Sequence, residues 1–502
     1  QDAAGGRERS GDDDDVVVEA GFAPVAEAAG ARLDAVVGDA DRETLRGEEA
    51  GEPAAHLAGA DEDCVRIMRE IAGTSHGPCY VAGAVERSGC LDAALVNGTA
   101  AHALDFDNGS NTMGGHVSAT VVPALIAAAE AHGGNGRDLL LAHTVGFETG
   151  TRIGRGVNFH HYEKGWHPTS TLGTFAVVAA CASLLKLGAD ETATALAIGA
   201  SLASGIKANF GTMTKPLHVG HCARNGLTAV LLARGGYTAS AEAFEHKQGF
   251  FNVYNGEGHY DAARILEHWA DPLDIVQPGA GYKEYPCCAA THAALDATFA
   301  LMREHGPIAP ASISKVETWT PARRLAHTNR PDPQGNLDAK FSVQYCVARA
   351  LLDGRIVIGQ FEGDAYREPA ARALMQRVHS QTHRPGQFPA DNHFGAEVAV
   401  TLTDGRRLDS RVDIQRGRTA DHPVPPDLLR AKFENCAARM LPADAVAVLA
   451  ARLDAFETLE SAAELTGAMV PAAKAAAWAF FSGVRTLPIA SRSLWASKGF
   501  SK

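Results

Sequence analysis

The 502-residue sequence lacks any uninterrupted apolar run near the roughly 18 residues that a membrane-spanning helix needs. Residues 1–18 are acidic and do not show the basic and then apolar order of a signal peptide. Only nine cysteines occur and none forms a CxxC pair, which argues against a disulfide framework or a structural zinc site. We therefore expect a cytoplasmic protein that has no membrane segment.

The sequence also lacks an excess of basic residues. It has 46 Lys and Arg against 59 Asp and Glu, a net charge of −13, so nucleic-acid binding is not expected. Hydrophobic residues make up 46% and charged residues 21%, which is typical of a folded globular protein. At about 150 residues per domain, this length allows two to four folding units.

Several cofactor and nucleophile motifs are missing as well. The sequence has no GxxxxGK[ST] phosphate loop, no GxSxG elbow and no HExxH helix. The segment Gly154-Arg155-Gly156 lacks the third glycine of a dinucleotide fingerprint, and no predicted strand precedes it. If the protein is an enzyme, these absences favour acid–base chemistry that uses no cofactor.

The first half of the sequence is predicted to be helical. Residues 1–60 carry a run of four aspartates and are interpreted as a divergent, loosely packed N-terminal segment. Beyond residue 60, apolar stretches with helical spacing end near glycine. Because apolar residues cover much of their circumference, we expect these helices to be buried in a bundle. The clearest such stretches are 117–132, 137–152, 169–187 and 190–204.

The pattern changes after about residue 274. Residues 313–320 alternate apolar and polar side chains, and 396–403 and 407–414 flank an Asp-Gly turn, which predicts a β-hairpin. Helical spacing returns from about residue 426. The predicted architecture is mainly α, with one helical domain built from both chain ends and a smaller inserted α/β lid domain: 61–274 plus 416–502, and 275–415.

The clearest charge signal is a stretch that has no acidic residue. Residues 192–241 contain no Asp or Glu, although the chain holds 59 of them. In an acidic protein such a region creates a local positive field that can concentrate an anion, unless buried helices simply carry few charges. Within it, Pro216 disfavours helix and predicts that Lys215 lies on a loop. There Lys215 either points into a cleft to bind a carboxylate or is a solvated surface lysine.

A second candidate cluster lies between residues 102 and 116. Asp105 and His116 can pair as carboxylate and imidazole, which orients the ring and raises its basicity. Capping of a helix by Asp105 or Asn108 is the alternative. A metal site is a third interpretation, although the spacing of the available ligands matches no metal family. Those ligands are His102, Asp105, Asp107 and His116.

Three more positions carry useful chemistry. His167 comes directly before a proline at a predicted helix start, where free N–H groups suit an anion. Lys283 opens the predicted α/β unit. Tyr345 lies at a helix start, where the alternative is a core tyrosine with a satisfied hydroxyl. Cys287 and Cys288 have no evident base partner and are interpreted as packing residues.

Six segments, in this order, resemble the MmgE/PrpD family: HALDFDN (102–108), GGH (114–116), GWHPTST (165–171), GTMTKPLHVGHCARNG (211–226), KEYPCCAATHAALDA (283–297) and KFSVQYCVARALLDG (340–354). The family includes 2-methylcitrate dehydratase, cis-aconitate decarboxylase and iminodisuccinate epimerase. The resemblance implies a helical domain built from both chain ends, a smaller α/β lid and a homodimer. It also implies active-site positions between the two domains, at Asp105, His116, His167, Lys215, Lys283 and Tyr345.

We therefore expect a cofactor-independent lyase, a dehydratase or decarboxylase, acting on a small di- or tricarboxylate of the 2-methylcitrate or cis-aconitate type. His116, oriented by Asp105, would transfer the proton, and Tyr345 would assist. Two lysines and a histidine would bind carboxylates and stabilise developing charge: Lys215, Lys283 and His167. The alternatives are an epimerase of an iminodisuccinate-like dicarboxylate and a non-catalytic family member that binds a metabolite.

Overall fold

The computed structural model describes residues 62–72, 75–390 and 392–470. The N-terminal segment predicted for 1–60 lies outside these residues, as does 471–502 of the predicted helical domain. The described chain is mainly helical with a small mixed sheet, as the sequence predicts. None of the helices in this part of the chain is both long and apolar enough to cross a membrane.

Helices dominate the chain before residue 275. Those predicted between residues 117 and 204 are present, and the one predicted for 169–187 is divided into two at Leu172. In chain order the helices are α1 Asp63–Ala72, α2 Cys90–Ala103, α3 Ser118–His132, α4 Gly136–Val157, α5 His160–Lys164, α6 Pro168–Thr171, α7 Gly173–Leu184, α8 Ala189–Leu202, α9 Thr214–Arg234, α10 Phe250–Asn255 and α11 Ala263–Leu266.

The chain after residue 280 contains the remaining helices and the four-stranded sheet. The helices are α12 Ala289–His305, α13 Ala322–Thr328, α14 Asn336–Ala339, α15 Val343–Asp353, α16 Pro369–Met375, α17 Pro426–Ala437, α18 Ala443–Asp454 and α19 Ala462–Ala468. Short strands β1 and β2 pair with each other, and β3 to β6 form a four-stranded sheet. The strands are β1 Gly109–Ser110, β2 Ala280–Gly281, β3 Ile313–Thr320, β4 Val378–Thr382, β5 Ala396–Leu402 and β6 Arg407–Val412.

The four-stranded sheet has the order β4-β3-β5-β6. Strand β3 runs parallel to β4, with Val316 opposite Val378, and antiparallel to β5, with Val316 opposite Val400. Strands β5 and β6 form the predicted hairpin. Alternation along β5 buries Val398 and Val400 against α12 and α15, since successive side chains of a strand point to opposite faces.

Two large clusters of buried apolar side chains, and a third of only three residues, form the interior of the described chain. The larger one combines the helices before residue 275 with residues of α17 to α19, such as Phe433, Leu449 and Leu465. Helix α3 is buried from Ser118 to Ala129, as expected for a helix that is apolar on most sides. The smaller cluster fills the space between the sheet, α12 and α15.

Helices α2 and α9 cross at a close approach that glycine makes possible. A Cβ atom added at Gly98 would lie 2.8 Å from the Cα atom of Gly220, closer than two carbon atoms can pack. Helix α2 ends shortly before Asp105, and Lys215 lies at the start of α9. The crossing therefore holds the ends that carry these two residues near each other.

Lys215 is helical, whereas the sequence predicted a loop. It lies in the first turn of α9, and Pro216 is the next residue of the same turn. Proline fits there because the first N–H groups of a helix have no acceptor within the helix. The prediction that proline would exclude helix was therefore wrong at this position.

Short strand pairing brings two distant loops together. Gly109 pairs with Gly281 and Ser110 with Ala280, which ties the loop after Asp107 to the loop before Lys283. Ser110 also pairs with Gly115, so the chain turns back before residue 116. These pairings return His116 to the neighbourhood of Asp107.

Substitution of Gly98 by Ala tests the helix crossing. We expect the added methyl group to push α2 and α9 apart and to lower the free energy of unfolding by about 1–3 kcal/mol, the usual cost of overpacking. Gly359→Ala is the matched control, since its added Cβ would meet nothing within 4 Å. Urea unfolding measures both variants, and a Gly98→Ala protein as stable as the control would contradict the close crossing.

Candidate active site

One cavity of the described chain gathers most of the predicted site residues. Asp105, His116, His167, Lys215 and Lys283 all line it. Each comes from a different place: the turn after α2, the loop before α3, the residue before α6, the first turn of α9 and the loop after β2. The tertiary fold thus brings together positions that are up to 178 residues apart.

Asp105 binds two lysines in the cavity. One carboxylate oxygen, Oδ1, lies 2.5 Å from Nζ of Lys215 and 2.8 Å from Nζ of Lys283, and all three side chains are buried. Burial raises the pKa of Asp105, but the two ammonium groups outweigh burial and hold that pKa well below its usual value. Burial lowers the pKa of Lys283, but Asp105 and Asp107 give it a net increase. Two cations facing one carboxylate leave a net positive charge for an anionic ligand.

The backbone of this turn is held by lysines as well. Lys283 donates to the carbonyl oxygen of Asp105 at 2.7 Å, Lys340 to that of Leu104 at 2.6 Å and Lys432 to that of Phe106 at 2.6 Å. Asp105 has a φ of 53°, in the left-handed region that only a few residue types adopt readily. We call the four lysines that bind residues 104–106 the lysine clasp: Lys215, Lys283, Lys340 and Lys432.

His116 is oriented by Asp107, whereas the sequence analysis paired it with Asp105. Its Nδ1 atom lies 2.9 Å from a carboxylate oxygen of Asp107 and 2.6 Å from the carbonyl oxygen of Asn108. The carboxylate of Asp105 is instead engaged by two lysines. Because Nδ1 faces two acceptors, it carries the proton, and Nε2 is left as the basic nitrogen of His116.

Three further histidines surround this pair. Nδ1 of His102 also lies 2.9 Å from Asp107, and Nδ1 of His167 lies 3.1 Å from Nδ1 of His218. Burial lowers the pKa of His102 and that of His218 to about 4, and Lys215 contributes to both shifts. Burial and Lys215 also hold the pKa of His167 well below its usual value. These three imidazoles are therefore neutral near pH 7.

The metal interpretation rests on a smaller ligand set in the structure. Ligand atoms of His102, Asp107 and His116 lie within 4.8 Å of one another. The fourth candidate, Asp105, is engaged by lysines. Both imidazole Nδ1 atoms lie 2.9 Å from the carboxylate, which is a hydrogen-bond distance. This donor set fits a His–Asp–His hydrogen-bond chain, and a metal held by the two Nδ1 atoms would require both rings to carry their proton on Nε2 instead.

Tyr345 does not line the cavity. Its ring is fully buried in the smaller apolar cluster against Phe361, and its hydroxyl donates to the carbonyl oxygen of Gln360. Ser342 caps α15, and the helix directs Tyr345 into that cluster. The alternative interpretation, a core tyrosine with a satisfied hydroxyl, is the one that the structure supports. Cys287 is buried as predicted.

Several cavity residues were not found from the sequence. Cys288, interpreted as a packing residue, lines the cavity, and so do Arg323, Arg324 and Arg418. The adjacent pair Arg323-Arg324 was a visible signal, but its proximity to Arg418 depends on how the chain folds around the sheet. The two remaining clasp residues, Lys340 and Lys432, had no local signal because their partners lie far away in sequence.

The mainly helical fold and this site define a protein suited to acid–base chemistry on an anionic ligand. A family model of the MmgE/PrpD N-terminal domain matches residues 53–263, and one of the MmgE/PrpD C-terminal domain matches 285–455. Cis-aconitate decarboxylases of Mus musculus and Homo sapiens are 33% and 32% identical to this chain, over 74% of it and 77% and 78% of their own lengths. A cis-aconitate decarboxylase of Aspergillus terreus is 27% identical, over 72% of this chain and 77% of its own.

The chain belongs to the MmgE/PrpD family. It is a lyase of the type that these relatives represent, which confirms the expectation of a carbon–oxygen or carbon–carbon lyase. The family resemblance that the six sequence segments indicated is confirmed as well.

The lysine clasp can be tested through Lys432, which does not line this cavity. Lys432→Met removes the donor to the carbonyl oxygens of Phe106 and Lys283. We expect a loss of about 1–3 kcal/mol in the free energy of unfolding, the cost of leaving carbonyl groups without their donor. Arg430→Met on the same helix is the control, because its exposed ion pairs contribute roughly 0–1 kcal/mol. Equal losses for both variants, measured in urea, would count against the clasp.

Proposed function

We propose that the protein is a cofactor-independent decarboxylase of a small di- or tricarboxylate of the cis-aconitate type. The observation that carries this proposal is one cavity in which Lys215 and Lys283 flank Asp105 while Asp107 orients His116. Such a site supplies cationic donors for a carboxylate and a nitrogen that can transfer a proton. The names of the relatives support decarboxylation as the reaction.

Lys215 and Lys283 would bind a carboxylate of the substrate. Each ammonium group has three N–H donors, and only part of them is used on Asp105. Charge-assisted hydrogen bonds of this kind are about twice as strong as neutral ones. When the bond to the departing carboxylate breaks, its electron pair delocalises toward a neighbouring carboxylate, and ammonium groups already in place stabilise that charge.

His116 would supply the proton that replaces carbon dioxide. As the carbon–carbon bond breaks, Nε2 of the protonated ring donates to the substrate carbon, and the ring then regains a proton from water. Asp107 accepts from Nδ1 and so fixes the orientation of the ring, which leaves Nε2 as the nitrogen that transfers the proton. Neutral His167 can donate or accept a hydrogen bond to a substrate oxygen.

Dehydration is the second candidate reaction. Oδ2 of Asp105 is buried and has no hydrogen-bond partner in the described part of the chain. A buried anionic oxygen is costly unless something donates to it, and the hydroxyl group of a 2-methylcitrate-like acid would be a suitable donor. In that reaction Nε2 of His116 removes the proton next to a carboxylate, the carbon–oxygen bond breaks, and the departing hydroxyl takes that proton back from the imidazolium to leave as water.

We also propose the domain arrangement and the assembly that the family resemblance implies. Residues 275–415 would act as an inserted lid over a helical domain made from both chain ends, and the protein would be a homodimer. Two features support the lid: the separate apolar cluster within this region, and the cavity lining shared between Asp105 on one side and Arg324 on the other.

A panel of acids tests the reaction. We expect turnover of cis-aconitate or 2-methylcitrate, followed by proton NMR, and we expect it to persist in EDTA because the His–Asp–His chain needs no metal. Lys215→Met should lower turnover at least tenfold, a loss of about 1.4 kcal/mol in transition-state stabilisation. Lys186→Met, at an exposed ion pair, is the control.

Other outcomes of the panel are equally specific. Racemisation of iminodisuccinate alone would replace the lyase proposal by an epimerase. A folded protein that turns over none of cis-aconitate, 2-methylcitrate and iminodisuccinate would favour the non-catalytic alternative. Activity that EDTA removes and zinc or iron restores would overturn the cofactor-independent mechanism.

Asp107→Asn tests the orientation of His116. We expect kcat to fall roughly 100-fold or more with KM nearly unchanged, because general acid–base catalysis depends on the tautomer and charge of the ring. Asp138→Asn is the control, since Asp138 lies on the surface and pairs with Lys186. Steady-state kinetics across pH would decide, and an unchanged kcat would remove the Asp107–His116 pair from the mechanism.

A further inference from the structure

Three arginines form one side of the cavity, and we call them the arginine wall: Arg323, Arg324 and Arg418. The first two lie in the first turn of α13, and the third follows the β5–β6 hairpin. All three line the same cavity as Asp105 and His116. The wall therefore comes from the chain after residue 280, as Lys283 does, whereas Asp105, His116 and Lys215 come from the chain before it.

The partners of the wall are all neutral. Arg324 donates to the carbonyl oxygens of His393 at 2.7 Å and Ala289 at 3.2 Å. Arg418 and Arg324 both lie over the ring of Phe394, at 4.7 and 5.0 Å from its centroid. Within the residues that the structure describes, no carboxylate lies within ion-pair distance of any of the three guanidinium groups.

Arg323 and Arg418 likewise have no acidic partner among the described residues. Arg323 lies over the ring of Phe159, 4.7 Å from its centroid. The Nε atom of Arg418 is buried and has no hydrogen-bond partner among the described residues. A buried guanidinium donor without an acceptor is costly, so such an atom at the side of a cavity calls for an acceptor from within the cavity.

Elsewhere the protein pairs buried and half-buried arginines with acids. Arg152 lies 2.7 Å from Glu148, and Arg155 forms an ion pair with Asp274. In the wall, burial and repulsion between the arginines lower the pKa of Arg418 well below its usual value, and burial lowers that of Arg324 to about 10. The wall is thus an uncompensated positive site, and an anion bound there would relieve the repulsion.

We propose that the arginine wall is a second anion subsite, which binds a carboxylate of the substrate remote from the reacting carbon. This inference rests on the proposed function, in which Lys215 and Lys283 bind the carboxylate next to the reaction. A guanidinium group matches a carboxylate with two parallel N–H donors, and the free Nε of Arg418 is one such donor. The wall then selects an acid whose carboxylates are spaced widely enough to reach both subsites.

Calorimetry with an unreactive acid tests the subsite separately from turnover. Propane-1,2,3-tricarboxylate carries three carboxylates and has no double bond or hydroxyl to react. We expect Arg418→Gln to weaken its binding at least tenfold, and Arg418→Lys to recover part of the loss because the charge is kept. Arg407→Gln is the matched control, since Arg407 pairs with Glu317 on the sheet, away from the cavity. Equal affinity of wild type and Arg418→Gln would overturn the subsite.

Two further measurements sharpen the result. Arg323 is half-buried and has no hydrogen-bonded partner among the described residues that a substitution would strand. Arg323→Gln therefore repeats the test if Arg418→Gln fails to fold. In kinetics with a reactive acid we expect both variants to raise KM at least tenfold and to change kcat less than threefold, since the wall binds substrate away from the reaction.

Inorganic phosphate provides a further test of what the wall binds. If phosphate binds wild type tightly, loses binding in Arg418→Gln and does not compete with the tricarboxylate, the wall takes a separate anion and the proposal is overturned. Binding of the tricarboxylate without any turnover of the acid panel would leave the subsite standing while the proposed reaction fails.

Discussion

The site depends on one turn of backbone, residues 104–106, and on the ammonium groups that hold it. Lysines 215, 283, 340 and 432 reach this turn from four distant parts of the chain and bind its carbonyl oxygens or its carboxylate. A left-handed aspartate is a strained choice that persists only when its surroundings impose it. Because the clasp imposes it, Asp105 presents its carboxylate to the cavity while Asp107, two residues on, remains free to bind two imidazoles.

Charge is distributed unevenly in this acidic protein, and the cavity collects the positive part. Two lysines outnumber the carboxylate that they share, and the arginine wall has no acidic partner among the described residues. His102 and His167 are neutral because burial and Lys215 both penalise their protonation. The cavity therefore carries an excess of positive charge, which a small polycarboxylate neutralises with several carboxylate groups at once.

The proposed chemistry separates two tasks within that field. Lys215 and Lys283 address charge that develops on the substrate, whereas the Asp107–His116 pair addresses the proton. Decarboxylation, dehydration and epimerisation beside a carboxylate all need both tasks, so a single type of site suits all three reactions. The arginine wall performs neither task and acts on which acid enters, so selection of the substrate and its conversion are assigned to different side chains.

The sequence by itself determined the helical periodicity, the β5–β6 hairpin and the local motifs that carry Asp105, His116, His167, Lys215 and Lys283. Tertiary structure decided the rest. It placed Lys215 in the first turn of a helix and His116 within hydrogen-bond distance of Asp107. It also buried Tyr345 in the core and brought Arg418 and Arg323 to the same cavity. The reason is that periodicity reports how each segment is buried, whereas partners such as Lys432 and Phe106, separated by 326 residues, meet only when packing fixes the direction of every side chain between them.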